Sequence, residues 1–492
     1  MTETQTAMKG ESRGGAPPPV RRRAVVIGCA LLAAVASYLV GRSFLEESAA
    51  RALAVFVVGA VFWATEVLPL FATALLMVAM QVVFLASSGG LAEPMSALGA
   101  WMGLAPGPIR EIRAGVFFAP FASDIIMLFL GGFLLSAAVV KHGVDSAVAA
   151  RMLGPFSRSP AMLIGGVMGV SAFFSMWMSN TACAAMMVAI VHPVARRARV
   201  GSRLPAALMV AAAFGANIGG IGTPIGSPPN AIAFEALRRS GFAITFVDWM
   251  AFGVPLAALM LAVAWAIVLR VMPCAADERV APIASQGRIG RRGWMTIAIG
   301  LITIGLWLTG GWHGLSSGAV ALLAAAALTA FGLLDRHDVD TIDWNVLILI
   351  WGGLAISEGM RESGLGEAIA GLPVDRLGGG WMIGVVVAVL AIGLSTFMSN
   401  TAAAGLLVPM ALALGIAGRE EVAIVAALAC SLAMALPVST PPNAIAYATG
   451  RVPLGSMARA GALVAAAGVV VVTVGYRVVL PMVLGAATPG TP

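Results

Sequence analysis

Long apolar runs separated by short polar gaps fill the chain from about residue 24 to residue 485. They cover about 24–40, 52–70, 71–87, 124–140, 161–178, 182–195, 204–221, 251–272, 294–309, 317–334, 344–357, 381–398, 402–417, 422–438 and 458–485. Runs of this length predict helices surrounded by lipid or by other helices. Several are too short to cross a bilayer of about 30 Å, which needs about 20 helical residues. The short ones form two pairs, 161–178 with 182–195 and 381–398 with 402–417, and the same small polar tripeptide splits each pair. A half-length helix, a polar tip and a returning half-length helix describe a re-entrant hairpin. Such backbone is tolerated at membrane depth only where protein or a water-filled cavity surrounds it. Residues 1–20 are polar and rich in Gly and Pro, which predicts a disordered tail. Arg21–Arg23 followed by Ala24–Val40 resembles a signal peptide. The run is long, however, has no clear cleavage site and is followed by many more helices, so it predicts a retained first helix.

The pattern repeats internally. Met178-Ser179-Asn180-Thr181-Ala182 recurs as Met398-Ser399-Asn400-Thr401-Ala402, and Pro228-Pro229-Asn230-Ala231-Ile232-Ala233 recurs as Pro441-Pro442-Asn443-Ala444-Ile445-Ala446. Upstream, Gly131-Gly132 has a counterpart in Gly352-Gly353. Three islands in the same order at nearly constant offset mark a duplicated unit.

Arginine and lysine placement supplies the orientation. Basic clusters lie at Arg21–Arg23, at Lys141, Arg151 and Arg158, at Arg196, Arg197, Arg199 and Arg203, at Arg279, Arg288, Arg291 and Arg292, and at Arg451 and Arg459. All fall on one side if eleven helices span the membrane and the N-terminus is cytoplasmic. Segment 88–122 and the acidic region around Glu358, Glu362, Glu367 and Asp375 then lie outside. The first hairpin enters from the cytoplasm and the second from outside, so the halves are inverted. Inverted repeats with interrupted helices are the pattern of secondary transporters, with the site near the midplane.

Composition narrows the class. Of 492 residues, 60% are hydrophobic and 11% charged, against about 25% charged in soluble proteins. A net charge of +7 does not point to nucleic acid, because the basic residues sit in gaps between apolar runs rather than on one polar face. Cys29, Cys183, Cys274 and Cys430 show no ligand spacing, and His142, His192, His313 and His337 are scattered. A membrane-embedded enzyme would need a convergent set of such groups. Inverted repeats with two hairpins argue against a channel, and a purely structural protein has no reason to duplicate a polar tip at membrane depth.

The repeated motifs carry the candidate chemistry. Ser-Asn-Thr at a hairpin tip offers hydroxyls and a carboxamide, which both donate and accept. The returning half-helix begins there, so its free N–H groups and positive dipole end can hold a carboxylate without a buried Arg or Lys. The same oxygens, with backbone carbonyls, suit a hard cation such as Na+. A single Ser-Asn-Thr would be an ordinary helix cap; two copies inside interrupted apolar segments favour a site. Ser175 and Ser395 lie four residues before the tripeptide serines, a spacing that places both hydroxyls on one helix face, one turn apart; back-bonding to a carbonyl is the alternative for each. Gly219-Gly220-Ile221-Gly222-Thr223-Pro224-Ile225-Gly226-Ser227-Pro228-Pro229-Asn230 and its partner Pro437-Val438-Ser439-Thr440-Pro441-Pro442-Asn443 break their helices and free carbonyls. The first break is Gly-rich and longer, with extra residues 224–227; the second has no Gly. Glu66, in Trp63-Ala64-Thr65-Glu66-Val67-Leu68-Pro69, is either a functional acid or a helix-boundary residue.

These motifs together resemble the divalent anion:sodium symporter family over roughly residues 50–485. The resemblance implies an all-α membrane protein with eleven spanning helices and two re-entrant hairpins, an elevator-type transporter and a homodimer. It implies a scaffold at 21–160 and 293–378, a transport unit at 161–272 and 379–486, a cytoplasmic loop at 273–292, and tails at 1–20 and 487–492. It implies one Na+ site from Ser175, Ser179, Asn180 and the Gly222 carbonyl, and a second from Ser395, Asn400 and the Ser439 carbonyl. Asn180, Thr181, Asn400 and Thr401 would hold the substrate carboxylates, with Thr223, Thr440 and Pro441 near them. The expected cargo is a C4-dicarboxylate with Na+ as coupling ion, and no organic cofactor. A Na+-independent exchanger and a citrate or other divalent-anion transporter of the same fold are the alternatives. Sulfate-transporting members tend to alter one tripeptide; both are intact here. The expected location is the plasma membrane of a bacterium.

Overall fold

The computed structural model describes residues 20–87 and 109–484, apart from 276, 279, 281, 284–286 and 374–378. The predicted N-terminal tail except residue 20, the whole predicted C-terminal tail, the stretch 88–108 of the segment predicted to lie outside, Arg279 and Asp375 are not among the described residues. The described residues fold into helices throughout. Val20–Gly41, Glu47–Thr65, Leu70–Phe84 and Asp124–Lys141 open the chain. A first hairpin follows, with arms Pro160–Ser175 and Asn180–Arg196. A first broken helix, Leu204–Gly219 with Pro228–Arg239, leads into Phe246–Val271. The second half runs through Arg291–Leu308, Ser317–Ala330 and Trp344–Glu362 to a second hairpin, Gly379–Phe397 with Asn400–Ala413. A second broken helix, Arg419–Ser431 with Pro441–Ala448, and then Leu454–Leu484 complete it. Counting each broken helix as one pass, the described residues give eleven passes and two hairpins, as the apolar pattern predicts.

Local sequence explains where these helices start. Ser159 accepts a hydrogen bond from the Met162 N–H, and Pro160 follows at the first helical position, where its missing N–H costs nothing. Thr245 and Asp248 form a reciprocal capping box at the head of Phe246–Val271. Glu66 sits in the left-handed region, with φ 47°, at the C-terminal cap of Glu47–Thr65, which places it at a helix boundary. The repeated glycine pairs bring helices together: a side chain at Gly131 would collide with the backbone of Ala321, and one at Gly352 with Ala74. Small residues of this kind let membrane helices approach closely, and van der Waals contact replaces the missing hydrophobic drive.

Burial separates the centre from the periphery. In Leu204–Gly222, 94% of the apolar window is buried, against 22% in the first helix. Leu31, Leu32, Leu301, Ile302, Val470 and Val474 are exposed, an apolar exterior that suits a lipid solvent. The charged residues cluster at helix ends. Arg238 pairs with Asp124 at 3.0 Å and Arg239 with Glu358 at 2.8 Å, which ties the end of the first broken helix to two helices of the flanking segments. Lys141 pairs with Asp335 at 2.8 Å, and that hydrogen-bonded ammonium holds the Asp335 carboxyl below the usual carboxylate range.

Candidate anion and cation site

The two hairpin tips and the two helix breaks meet in matched pairs. In the first half the helix Pro160–Ser175 stops at Ser175, and Ser179 opens the next helix by accepting from the Ala182 N–H at 3.2 Å. Ser175 and Ser179 therefore do not share a helix face; the chain turns between them. The Ser175 hydroxyl donates instead to Asn180 Oδ1 at 2.6 Å. The second half repeats the bond: Ser395 donates to Asn400 Oδ1 at 2.6 Å. Ser395 Oγ also lies 3.0 Å from the Cys430 carbonyl oxygen. Three oxygens thus share one hydroxyl proton, an electron-rich cluster that suits a hard cation. The Cys430 carbonyl was not among the sequence-predicted groups, and nothing in the motifs signals it.

Each break is fastened to its own hairpin. Thr223 Oγ1 donates to the Met176 carbonyl at 2.6 Å, and Ser439 Oγ donates to the Thr396 carbonyl at 3.0 Å. In both halves the accepting carbonyl belongs to the residue after the hairpin serine. By contacts, Thr223 is the counterpart of Ser439, while Ser227 and Thr440, each just before its Pro-Pro pair, correspond as helix N-caps. The extra length of the first break thus reduces to residues 224–226.

The Pro-Pro-Asn asparagines account for the freed carbonyls, since a break at membrane depth must satisfy its own backbone. Asn230 Nδ2 lies 2.9 Å from the Gly220 carbonyl, 2.8 Å from Thr223 and 3.3 Å from Ile221. Trp249 Nε1 also donates to the Ile221 carbonyl, at 3.1 Å. Asn443 Nδ2 donates to Met434 and Leu436 at 2.8 and 3.1 Å. Both asparagines are fully buried. Their carboxamides replace the turn of helical hydrogen bonds that the prolines forbid.

Gly220 has a specific reason to be glycine. An added Cβ would stand 2.6 Å from Asn180 Oδ1 and 2.7 Å from the Gly226 carbonyl. The first break can touch the tip asparagine only because nothing projects there.

Helix ends set the electrostatics. The C-terminal ends of Pro160–Ser175 and Leu204–Gly219 bring negative dipole ends toward the Ser175–Asn180 couple, while the N-terminus of Asn180–Arg196 brings a positive one. The second half juxtaposes the end of Arg419–Ser431 with the starts of Asn400–Ala413 and Pro441–Ala448. Neutral oxygens and carbonyls suit Na+, and helix N-termini suit a carboxylate.

The other sequence-predicted residues lie as follows. Gly222 is buried against the Met176 side chain, and Thr223, Ser439, Thr440 and Thr401 are buried. Asn180 and Asn400 are partly exposed, and Thr181 and Pro441 are exposed. Trp177 and Asn217 are near the site without having been singled out by the motifs. Trp177 stacks on Trp307 and Phe246, with ring centroids 6.3 and 6.5 Å away. Asn217 is 1% exposed and bonds across to the second half. Its one signal in the sequence is a carboxamide inside an otherwise apolar stretch.

The chain compares with known proteins as follows. The family profile described as "Sodium:sulfate symporter transmembrane region" matches residues 25–484. A protein named sodium-dependent dicarboxylate transporter SdcS, from Staphylococcus saprophyticus, is 28% identical over 90% of this chain and 88% of its own. An uncharacterized transporter from Haemophilus influenzae is 30% identical over 88% of this chain and 92% of its own. The crystal structure of the Alcanivorax borkumensis YdaH transporter, described as having an unusual topology, superposes with a TM-score of 0.52 at 15% identity, covering 88% of this chain and 99% of that one; it shares the fold. The paired tips, the paired breaks and a profile match across nearly the whole chain lead to one assignment: this integral membrane protein belongs to the divalent anion:sodium symporter family.

Proposed function

We propose that this chain is a secondary active transporter that carries C4-dicarboxylates such as succinate, malate and fumarate together with Na+. The observation that carries the reading is the doubled Ser–Asn couple, each 2.6 Å long and each facing a broken helix. The name of the Staphylococcus relative, a sodium-dependent dicarboxylate transporter, supports the cargo. On this reading Ser175, Ser179, Asn180 and the Gly222 carbonyl hold one Na+, and Ser395, Asn400 and the Ser439 carbonyl hold a second. Asn180, Thr181, Asn400 and Thr401 bind the two carboxylates, with Thr223, Thr440 and Pro441 beside them. Cation and anion neutralise each other in the site, so the pair crosses a low-dielectric layer without a fixed counter-charge.

The proposed mechanism is an elevator in a homodimer. Segments 161–272 and 379–486 slide as the transport unit against a scaffold at 21–160 and 293–378, with the N-terminus cytoplasmic in the plasma membrane of a bacterium. Succinate uptake into proteoliposomes tests it. An inward Na+ gradient is expected to drive accumulation. Uptake that needs internal dicarboxylate instead of Na+ would select the exchanger, and no uptake under either condition would reject dicarboxylate transport.

A further inference from the structure

Asn217 stands in the last turn of Leu204–Gly219, and its Nδ2 lies 3.0 Å from Thr440 Oγ1 and 3.3 Å from Asn443 Oδ1. Its orientation follows from its partners. Asn443 Nδ2 faces two carbonyls, Met434 and Leu436, so the other atom of that carboxamide is oxygen and accepts only. A nitrogen of Asn217 must face it. An amide nitrogen carries two hydrogens, and the second is aimed at Thr440. Thr440 Oγ1 therefore accepts from Asn217 Nδ2 and also from the Asn443 backbone N–H, at 3.3 Å. A hydroxyl has two lone pairs and one proton. Both lone pairs are taken, so the remaining valence of Thr440 is its proton.

We propose that Asn217, from the first half of the repeat, is a positioning residue that fixes Thr440 of the second half as an obligate hydrogen-bond donor to a substrate carboxylate. This rests on the reading of Thr440 as part of the substrate site. The mate of Thr440 is not committed in this way. Ser227 makes no side-chain cap bond; its hydroxyl lies 3.4 Å from Ser431 Oγ, which itself lies 3.4 Å from the Ala427 carbonyl, and either hydroxyl of the pair can donate. Ser431 occupies the place that Asn217 holds in the other half, and a serine cannot supply two directed hydrogens. One end of the site is thus pinned as a donor, and the other adapts. A donor with no acceptor capacity left favours an ionised carboxylate, because hydrogen bonds to charged groups are roughly twice as strong as neutral ones.

The test is kinetic, in proteoliposomes, with succinate as the probe. Asn217→Ser removes the two directed hydrogens without adding charge. It is expected to raise the KM for succinate by about tenfold, the cost of weakening a hydrogen bond to a charged group, and to leave both the maximal rate and the half-saturating Na+ within about twofold. In a Thr440→Val background, where the hydroxyl is gone, the same change is expected to alter KM by less than about twofold, because coupled residues are not additive. Asn217→Asp, which turns the donor into an acceptor that captures the Thr440 proton, is expected to be worse than Asn217→Ser. A fall in melting temperature with unchanged KM would mean a packing role and overturn the inference. So would an Asn217→Ser effect that survives undiminished in the Thr440→Val background. If a variant is too slow for flux measurements, the succinate-induced rise in melting temperature reads the same affinity. If the unaltered protein takes up no succinate, the functional reading fails and this inference fails with it; loss confined to the variants separates the two.

Discussion

The two hairpin tips have the same tripeptide and differently placed aromatic neighbours. Trp177, just before the first, is stacked on Trp307 and Phe246, with interplanar angles of 3° and 16°. Phe397, at the same place in the second, is 75% exposed. The breaks differ in the same direction: residues 219–227 of the first are all buried, whereas Val438 and Pro441 of the second are exposed. Between the first tip and Asp124–Lys141 lies a void of about 10 Å³, lined by Gly132, Phe133, Trp177, Ser179 and Ile225, about the size that holds one water. The aromatic residue before the first tip is packed and that before the second is exposed, while the tripeptides run the other way: Thr181 is exposed and Thr401 is buried, and the returning arm Asn400–Ala413 packs on Trp344–Glu362. Identical motifs in an inverted repeat therefore do not have identical surroundings.

The largest expected effect breaks the comparison at its root, because the Ser–Asn couple is 2.6 Å long in both halves. Asn180→Ala and Asn400→Ala are each expected to reduce Na+-driven succinate uptake by more than about a hundredfold, beyond the 10–100-fold typical of groups that only support a cation site. Monodispersity by size-exclusion chromatography checks that each variant is folded. Near-normal transport in either one would separate that tip from the site and make the repeat structural on that side.

A second change sharpens the difference between the breaks. Gly220→Ala puts a methyl against Asn180 Oδ1 and the Gly226 carbonyl. The carbonyl is backbone and cannot swing away, so the asparagine has to move. Overpacking of this kind costs about 1–3 kcal/mol. If Asn180 holds both a cation and a carboxylate, the half-saturating Na+ concentration and the succinate KM are both expected to rise, each by about tenfold. A rise in the succinate KM alone would assign Asn180 to substrate alone. The second break has no glycine at which to make the equivalent change.

Much of this was legible in the chain because membrane physics is restrictive. Uniform apolar runs reveal helices, short paired runs reveal hairpins, and matched islands reveal duplication; eleven passes and two hairpins follow from these alone. The contacts were less legible. Spacing alone puts Ser175 and Ser179 on one helix face, yet the helix ends at Ser175, since a tripeptide tip has to reverse the chain. Matching Thr223 to Thr440, with residues 224–227 as an insertion, makes the two counterparts, whereas its hydrogen bond makes Thr223 the counterpart of Ser439, and residues 224–226 are the extra ones. Asn217 escaped because its mate is Ser431, so the repeat search had no identical residue to find. The stack of Trp177 on Trp307 joins distant segments, and no local period encodes it.

The smallest expected effect concerns the two aromatic residues beside the tips, and it tests whether the packed and the exposed one differ in energy. Trp177→Ala removes a half-buried indole from contact with Trp307 and Phe246. Truncating a fully buried Trp costs about 3–5 kcal/mol, so partial exposure brings the expectation to about 1–3 kcal/mol, of which the stacking geometry accounts for about 0.5–1.5. Phe397→Ala removes a ring with three quarters of its surface free, and is expected to change stability by no more than about 0.5 kcal/mol. Melting curves in one detergent, with and without Na+, measure both. If Phe397 packs as Trp177 does elsewhere in the cycle, Phe397→Ala acquires a cost only when the protein is trapped in that other arrangement, for instance by a cysteine cross-link, and the ordering of the two variants reverses. Equal costs in the untrapped protein would mean that the two tips are energetically alike despite the contrast between Trp177 and Phe397.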